Sequence, residues 1–175
     1  MSPDTGFHHI PMIKNLKNPK TDNYFNLKQI VLSDDFPWHW MTTGNGIMYY
    51  CHTLITRPEQ SYSNSVSPYS DLFAMVMGEI LLANDLAKNG YHILRGAVNS
   101  VHPSEGTQVC DKHVDHDFPH INLIAYLTDV GGKTFCGKKK HDPKEDDAIL
   151  MKGEHCHERP KRNRRVVLVS TIQCH

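Results

Sequence analysis

Apolar positions recur along this chain in two rhythms, and the change between them falls near residue 90. From Ser70 to Asn89, Leu72, Phe73, Val76, Ile80, Leu81 and Ala83 share one broad face, while Asp71, Glu79, Asp85 and Lys88 gather in a stripe. That is the 3.6-residue period of an amphipathic helix packed on a sheet. Ser70 is placed to cap its start and Asn89-Gly90 to stop it, and Met75 and Met77 read as core filler within it. After Gly90 the rhythm is that of strands, predicted over Tyr91 to Val101, His120 to Leu127, Ala148 to Lys152 and Arg165 to Ile172. Turn signals separate them at 102–106, at Gly131-Gly132, at 138–144 and at 160–163. Before the long helix, Asn26 to Leu32 forms a short helix and Ile47 to Ile55 a strand. The first two dozen residues, broken by Pro3, Pro11 and Pro19, read as an irregular arm. Phe36 to Trp40 reads as a loop anchored by aromatics, and Arg57 to Tyr69 as a second loop.

A helix followed by consecutive strands, without βαβ alternation, predicts a mainly β fold: an antiparallel sandwich with helical support on one side. The 175 residues suit a single domain, 1–175, in which 1–90 is a supporting segment carrying helix 70–89 and 91–175 is the β core. Charge adds little, because 19 basic residues balance 19 acidic ones and leave no long-range field for nucleic acid or an anionic membrane. No apolar run approaches the length of a membrane span, and the N-terminus lacks the pattern of a signal peptide. Five cysteines, an odd number with no CxxC pair, exclude a disulfide framework, so a reducing cytoplasm is expected. Thirteen histidines are many for this length and suit a metal or proton-transfer role.

The chemistry begins at His113-Val114-Asp115. On an extended strand these two side chains project from one face. Two histidines and one carboxylate are the set that holds ferrous iron on a triangular face and leaves the opposite positions open. The second histidine must come from elsewhere. His157 is the candidate, on a turn after the strand Ala148 to Lys152 that Gly153 permits, and His155 is its rival two residues earlier. Arg165 opens a strand and shares its face with Val167, Val169 and Thr171, whereas Arg164 points the other way. A guanidinium there matches a carboxylate fork to fork, and it is costly to turn inward without an anion.

His113-Val114-Asp115, Pro119, the strand ending Ala125 to Asp129, Gly131-Gly132-Lys133-Thr134-Phe135, Gly153 with His157, and Arg165 leading a valine-rich strand occur in that order. This string resembles the 2-oxoglutarate- and Fe(II)-dependent dioxygenases, in particular the prolyl-4-hydroxylase-like branch and its small phage and bacterial members. The resemblance covers about Tyr91 to Thr171. It implies a double-stranded β-helix (jelly-roll, cupin-like) core, with iron held by His113, Asp115 and His157. It also implies that Arg165 binds the far carboxylate of 2-oxoglutarate and that Tyr126 adds a hydroxyl to that pocket. His102 takes the approximate place of a strand-end tyrosine near the co-substrate. The interval from His157 to Arg165 is short, and His155 with Arg164 or Arg165 fits some members. The implied activity, with Fe(II), 2-oxoglutarate and O2, is hydroxylation of a small molecule or of a peptide or protein side chain such as proline.

Two other readings of the residues stand beside this one. Lys138 to Lys140 and Lys161 to Arg164 lie on turns that could rim a jelly-roll mouth, which would suit oxidation or demethylation of a nucleic-acid base. Zero net charge and the absence of aromatic–basic interleaving disfavour it. Cys110, Cys136, His141, His155, Cys156, Cys174 and His175 could be assembled into a non-catalytic zinc module, but no spacing matches a known zinc site.

Overall fold

The computed structural model describes residues 12–41, 46–58, 64–106 and 108–175. In chain order the first elements are β1 (Met12–Leu16), α1 (Asp22–Leu32), β2 (His39–Met41), β3 (Tyr49–Ile55) and α2 (Ser70–Leu82). They are followed by β4 (Tyr91–Val101), β5 (Ile121–Tyr126), β6 (Thr134–Cys136), β7 (Lys139–His141), β8 (Ala148–Lys152), β9 (His155–His157) and β10 (Arg165–Cys174). All strand pairings are antiparallel: a seven-stranded sheet in the order β1-β8-β5-β10-β4-β3-β2, and a three-stranded sheet in the order β7-β6-β9. The structure thus has the sandwich architecture expected of a jelly roll, with helices on one side.

The central strands read as apolar on both faces because both faces are covered. On the outer face Val98, Leu123, Ala125, Leu150, Val166 and Leu168 pack against Phe73, Val76, Met77, Ile80 and Leu81 of α2 and Tyr24, Leu27 and Val31 of α1. Their alternate residues, Ile124, Tyr126, Ile149, Met151, Val167 and Val169, form a second cluster on the inner face. Gly96 allows α2 to approach β4, since a Cβ there would lie 2.5 Å from the Phe73 ring. The two halves of the chain share one sheet, with β3 beside β4 and β1 beside β8.

Several expectations change. Residues 12–16 are not an arm but an edge strand, bounded by prolines that an edge tolerates. Helix α2 stops at Leu82, not Asn89. Asp85 adopts φ +58°, and the Leu86 and Asp85 amides donate to the Leu81 and Leu82 carbonyls at 3.0 and 3.2 Å. That is a Schellman stop, which the sequence hides because the left-handed residue is aspartate and not glycine. Ser70 lies inside the helix rather than capping it, and its hydroxyl donates to the carbonyls of Leu54 and Ser67. Met77 is core as expected, but Met75 is half exposed. The small sheet was not anticipated, because its strands have three residues each and one of them reads Lys-Lys-His. No helix among the described residues is long and apolar enough to cross a membrane.

Candidate metal and co-substrate site

The stretch from Cys110 to His120 forms no regular strand, unlike the extended segment expected for His113-Val114-Asp115. It is held by single bridges to the small sheet, Val109 opposite Glu158 and His113 opposite His155. The His113 and His155 amides exchange backbone hydrogen bonds of 2.9 and 3.0 Å, which brings the two rings to a 4.5 Å centroid separation. Each ring then uses Nδ1 on a carbonyl two residues back, His113 on Asp111 at 2.8 Å and His155 on Gly153 at 3.0 Å. A carbonyl can only accept, so both Nδ1 atoms carry a proton, and in the neutral form of each ring the lone pair lies on Nε2.

Asp115 completes this corner, its Oδ2 3.5 Å from His155 Nε2. Oδ1 lies 3.2 Å from Arg95 Nη1 and 3.4 Å from Arg57 Nη2, and Arg57 also donates to the Asp115 carbonyl. Burial would raise the Asp115 carboxyl, but Arg95, His155 and Arg57 outweigh it and bring its pKa down to about 2. Burial lowers His155 and pushes His157 well below the ordinary imidazole value, which keeps both rings neutral and able to donate a lone pair. The ligand atoms of His113, His155 and His157 all lie within 4.8 Å of one another.

His157, two residues along β9, is tied differently. Its Nδ1 is 2.9 Å from Thr134 Oγ1, which is 2.7 Å from the Tyr126 hydroxyl. His157, Thr134 and Tyr126 therefore form a chain of polar groups leading toward Arg165, whose charge bears on both His157 and Tyr126. Arg165 is 5 % exposed, and its Nη1 donates to the carbonyls of Gly132 at 2.9 Å and Glu158 at 2.7 Å. Gly132, at φ +88°, makes this seat: a Cβ would lie 2.8 Å from Arg165 Nη1 and from two backbone oxygens. Burial lowers the Arg165 pKa and raises that of Tyr126 to about 12. No carboxylate side chain among the described residues pairs with Arg165.

These groups line one cavity of about 340 Å³. It includes His113, Asp115, His155, His157, Tyr126 and Arg165, so five of the six residues singled out in the sequence meet there. His102 does not: it is exposed, edge-on to Tyr50 at 5.7 Å, and outside the lining. Arg164 turns outward and sits 5.8 Å above the Trp38 ring. Among the described residues the three histidines are the one cluster of three ligand groups whose atoms all lie within 4.8 Å of one another, Asp115 stands against one of them, and no cysteine joins it. Arg57, Arg95, Asn99, Asn122 and Thr134 were not singled out. Arg95 and Asn99 share the inward parity of Tyr91 to Val101, and Asn122 that of Tyr126, so strand alternation held the signal.

The donor set suits a divalent metal: neutral imidazoles with fixed tautomers beside an ionised carboxylate. The far end suits an anion, since Arg165 Nε is buried without a hydrogen-bond partner.

No protein-family model matches the sequence, and no curated protein does. The fold, in contrast, is shared with solved oxygenases. A 2OG-Fe(II) oxygenase family oxidoreductase from Burkholderia pseudomallei superposes with TM-score 0.69 at 15% identity, covering 94% of this chain and 85% of that one. The viral collagen prolyl hydroxylase of Paramecium Bursaria Chlorella virus-1, in its 2OG complex, gives 0.58 at 13% identity over 91% and 94% of the two chains. A Trichoplax adhaerens prolyl hydroxylase, in complex with a hypoxia inducible factor peptide fragment, gives 0.55 at 12% identity over 93% and 82%. At such identities the likeness shows the fold.

Proposed function

We propose that this chain is a single-domain Fe(II)- and 2-oxoglutarate-dependent dioxygenase, with a peptide or protein side chain such as proline as substrate. The observation that carries the proposal is the pairing, across one cavity, of an imidazole–carboxylate corner with a buried arginine that makes no ion pair among the described residues. Under this reading His113, Asp115 and His155 hold the metal. His155 is preferred to His157 because it lies against Asp115 and shares with His113 the Nδ1-to-backbone tether that frees Nε2. Arg165 and the Tyr126 hydroxyl bind the far carboxylate of 2-oxoglutarate, and His157 flanks that co-substrate through Thr134.

When bound, iron with 2-oxoglutarate and O2 supplies oxidation of a substrate C–H bond to an alcohol, yielding succinate and carbon dioxide. The chain's own work is placement. Arg95 and Arg57 occupy one oxygen of Asp115 and leave Oδ2 to face His155. Gly132 and Glu158 hold Arg165 Nη1 by their carbonyls and so fix the guanidinium at the cavity wall. The apolar walls Ile124, Val167 and Val169 restrict water around the reacting groups. The peptide substrate draws support from the two prolyl hydroxylases sharing the fold, one of them solved with a peptide. The test is succinate release with Fe(II), 2-oxoglutarate and a panel of peptides, free amino acids and oligonucleotides. Turnover that depends on His113, Asp115 and Arg165 is expected. Stoichiometric zinc with no 2-oxoglutarate turnover would overturn the reading.

A further inference from the structure

Asn122 is 1 % exposed and lines the cavity, yet neither its Oδ1 nor its Nδ2 has a hydrogen-bond partner among the described residues. A buried carboxamide with both ends idle is costly and rare in a folded protein. Its surroundings offer no relief. In register, Asn122 stands between Thr171 on β10 and Met151 on β8. The Thr171 hydroxyl is already 2.8 Å from His116 Nε2, and Met151 brings no strong donor or acceptor. Arg95, opposite Thr171 on β4, is engaged by Asp115. Both ends of the amide are therefore left for a cavity ligand.

The co-substrate proposed above does not suit it. A 2-oxoglutarate dianion only accepts hydrogen bonds, so it would leave Asn122 Oδ1 idle. It is also anchored elsewhere, at Tyr126, four residues and about 13 Å along β5. Asn122 shares its row of the sheet with Arg95, the arginine that holds the metal-ligand carboxylate, and so belongs to the opposite end of the cavity. Exposed Val114 and partly exposed Arg57 line the cavity beside Asp115, so a substrate would enter at that end.

We infer that Asn122 is a substrate-recognition residue for a primary carboxamide, the side-chain amide of an asparagine or glutamine in a polypeptide. This rests on the oxygenase reading and, among peptide side chains, puts a carboxamide in the place of proline as first candidate. Two carboxamides pair face to face, with Asn122 Oδ1 accepting an N–H and Nδ2 donating to the partner carbonyl, and both idle atoms are satisfied at once. The tertiary amide nitrogen of a peptide-bonded proline has no N–H to give. A nucleobase lactam edge has the same donor and acceptor, and uracil as a second probe separates it from a carboxamide.

The test uses the full-length protein loaded with Mn(II) and 2-oxoglutarate, with acetamide as probe and its methyl-proton relaxation as readout. Enhanced relaxation is expected in the wild type and at least a fivefold smaller enhancement in Asn122→Leu. N,N-dimethylacetamide, which has no N–H, should show none. The variant should bind 2-oxoglutarate within twofold of wild type and melt no lower, since it removes an unpaired buried amide. Asn122→Val, a better strand former, replaces it if the leucine variant does not fold. No acetamide relaxation in a wild type that binds Mn(II) and 2-oxoglutarate overturns the inference alone. A tenfold loss of 2-oxoglutarate affinity in the variant reassigns Asn122 to the co-substrate and also overturns it. Stronger relaxation of uracil than of acetamide overturns it in favour of a nucleobase. Failure of Mn(II) or 2-oxoglutarate to bind at all removes the oxygenase reading and the inference together.

Discussion

Gly132 decides where Arg165 can sit. At φ +88° with 2.8 Å between a Cβ position and Arg165 Nη1, alanine there meets both backbone strain and the guanidinium itself. Gly132→Ala is expected to weaken 2-oxoglutarate binding at least tenfold, about 1.4 kcal/mol, while metal affinity stays within a few-fold; calorimetric titration of each ligand checks this, and intact 2-oxoglutarate affinity would disprove it. The imidazoles separate in the same way. His155→Ala should cost metal affinity at least tenfold, whereas His157→Ala should leave the metal bound and change the 2-oxoglutarate requirement. The opposite result would make His157 the metal ligand, as the sequence resemblance implies. The residue types gathered in this cavity were legible in the sequence, but what distinguishes His155 from His157 was not: one ring is tethered by a carbonyl and the other by Thr134 Oγ1, a contact 23 residues away in the chain.

Elements were legible where their periodicity was long and their ends followed the usual residue types. β4, β8 and the body of α2 follow from alternation or a 3.6-residue period. The end of α2 was hidden by Asp85 in a glycine's place, and β9 by being three residues with a histidine at each end. What joins the elements is also local chemistry. Tyr24 and Lys28 of α1 reach Asp146, in the turn before β8, at 2.8 and 2.6 Å. Burial would raise the Asp146 pKa, but the hydrogen bonds from Lys28 and Tyr24 outweigh it and lower it. A carboxyl with a lower pKa folded than unfolded contributes its stability above the unfolded value, near 3.9, and loses it as pH falls through the folded value. Asp146→Asn should therefore cost about 1–2 kcal/mol at pH 7. Urea unfolding should show that gap closing below about pH 4; a gap that persists unchanged in acid would rule out this linkage.

For the whole molecule, the site is a joint between two sheets rather than a feature of either. The 109–116 segment lies between β4 and β5 of the large sheet, yet its bridges are to the small one, at Val109–Glu158 and His113–His155. A metal held by His113, Asp115 and His155 would close that joint, as would 2-oxoglutarate held between Arg165 on the large sheet and His157 on the small one. Ligands that bind only the folded joint stabilise it by mass action, about 2.7 kcal/mol at a hundred times Kd. For a chain of this size that corresponds to a rise in Tm of roughly 5–10 °C. Mn(II) with 2-oxoglutarate should produce this shift in the wild type, and His113→Ala should lose it. The gain should be local as well as global. The amides of Cys110 and His113, which donate to the His157 and His155 carbonyls at 3.0 and 2.9 Å, should exchange more slowly with solvent when the ligands are bound. The amides of β4 and β10, already deep in the large sheet, should change far less. If melting does not move while both ligands demonstrably bind, the 109–116 segment is not the joint they close.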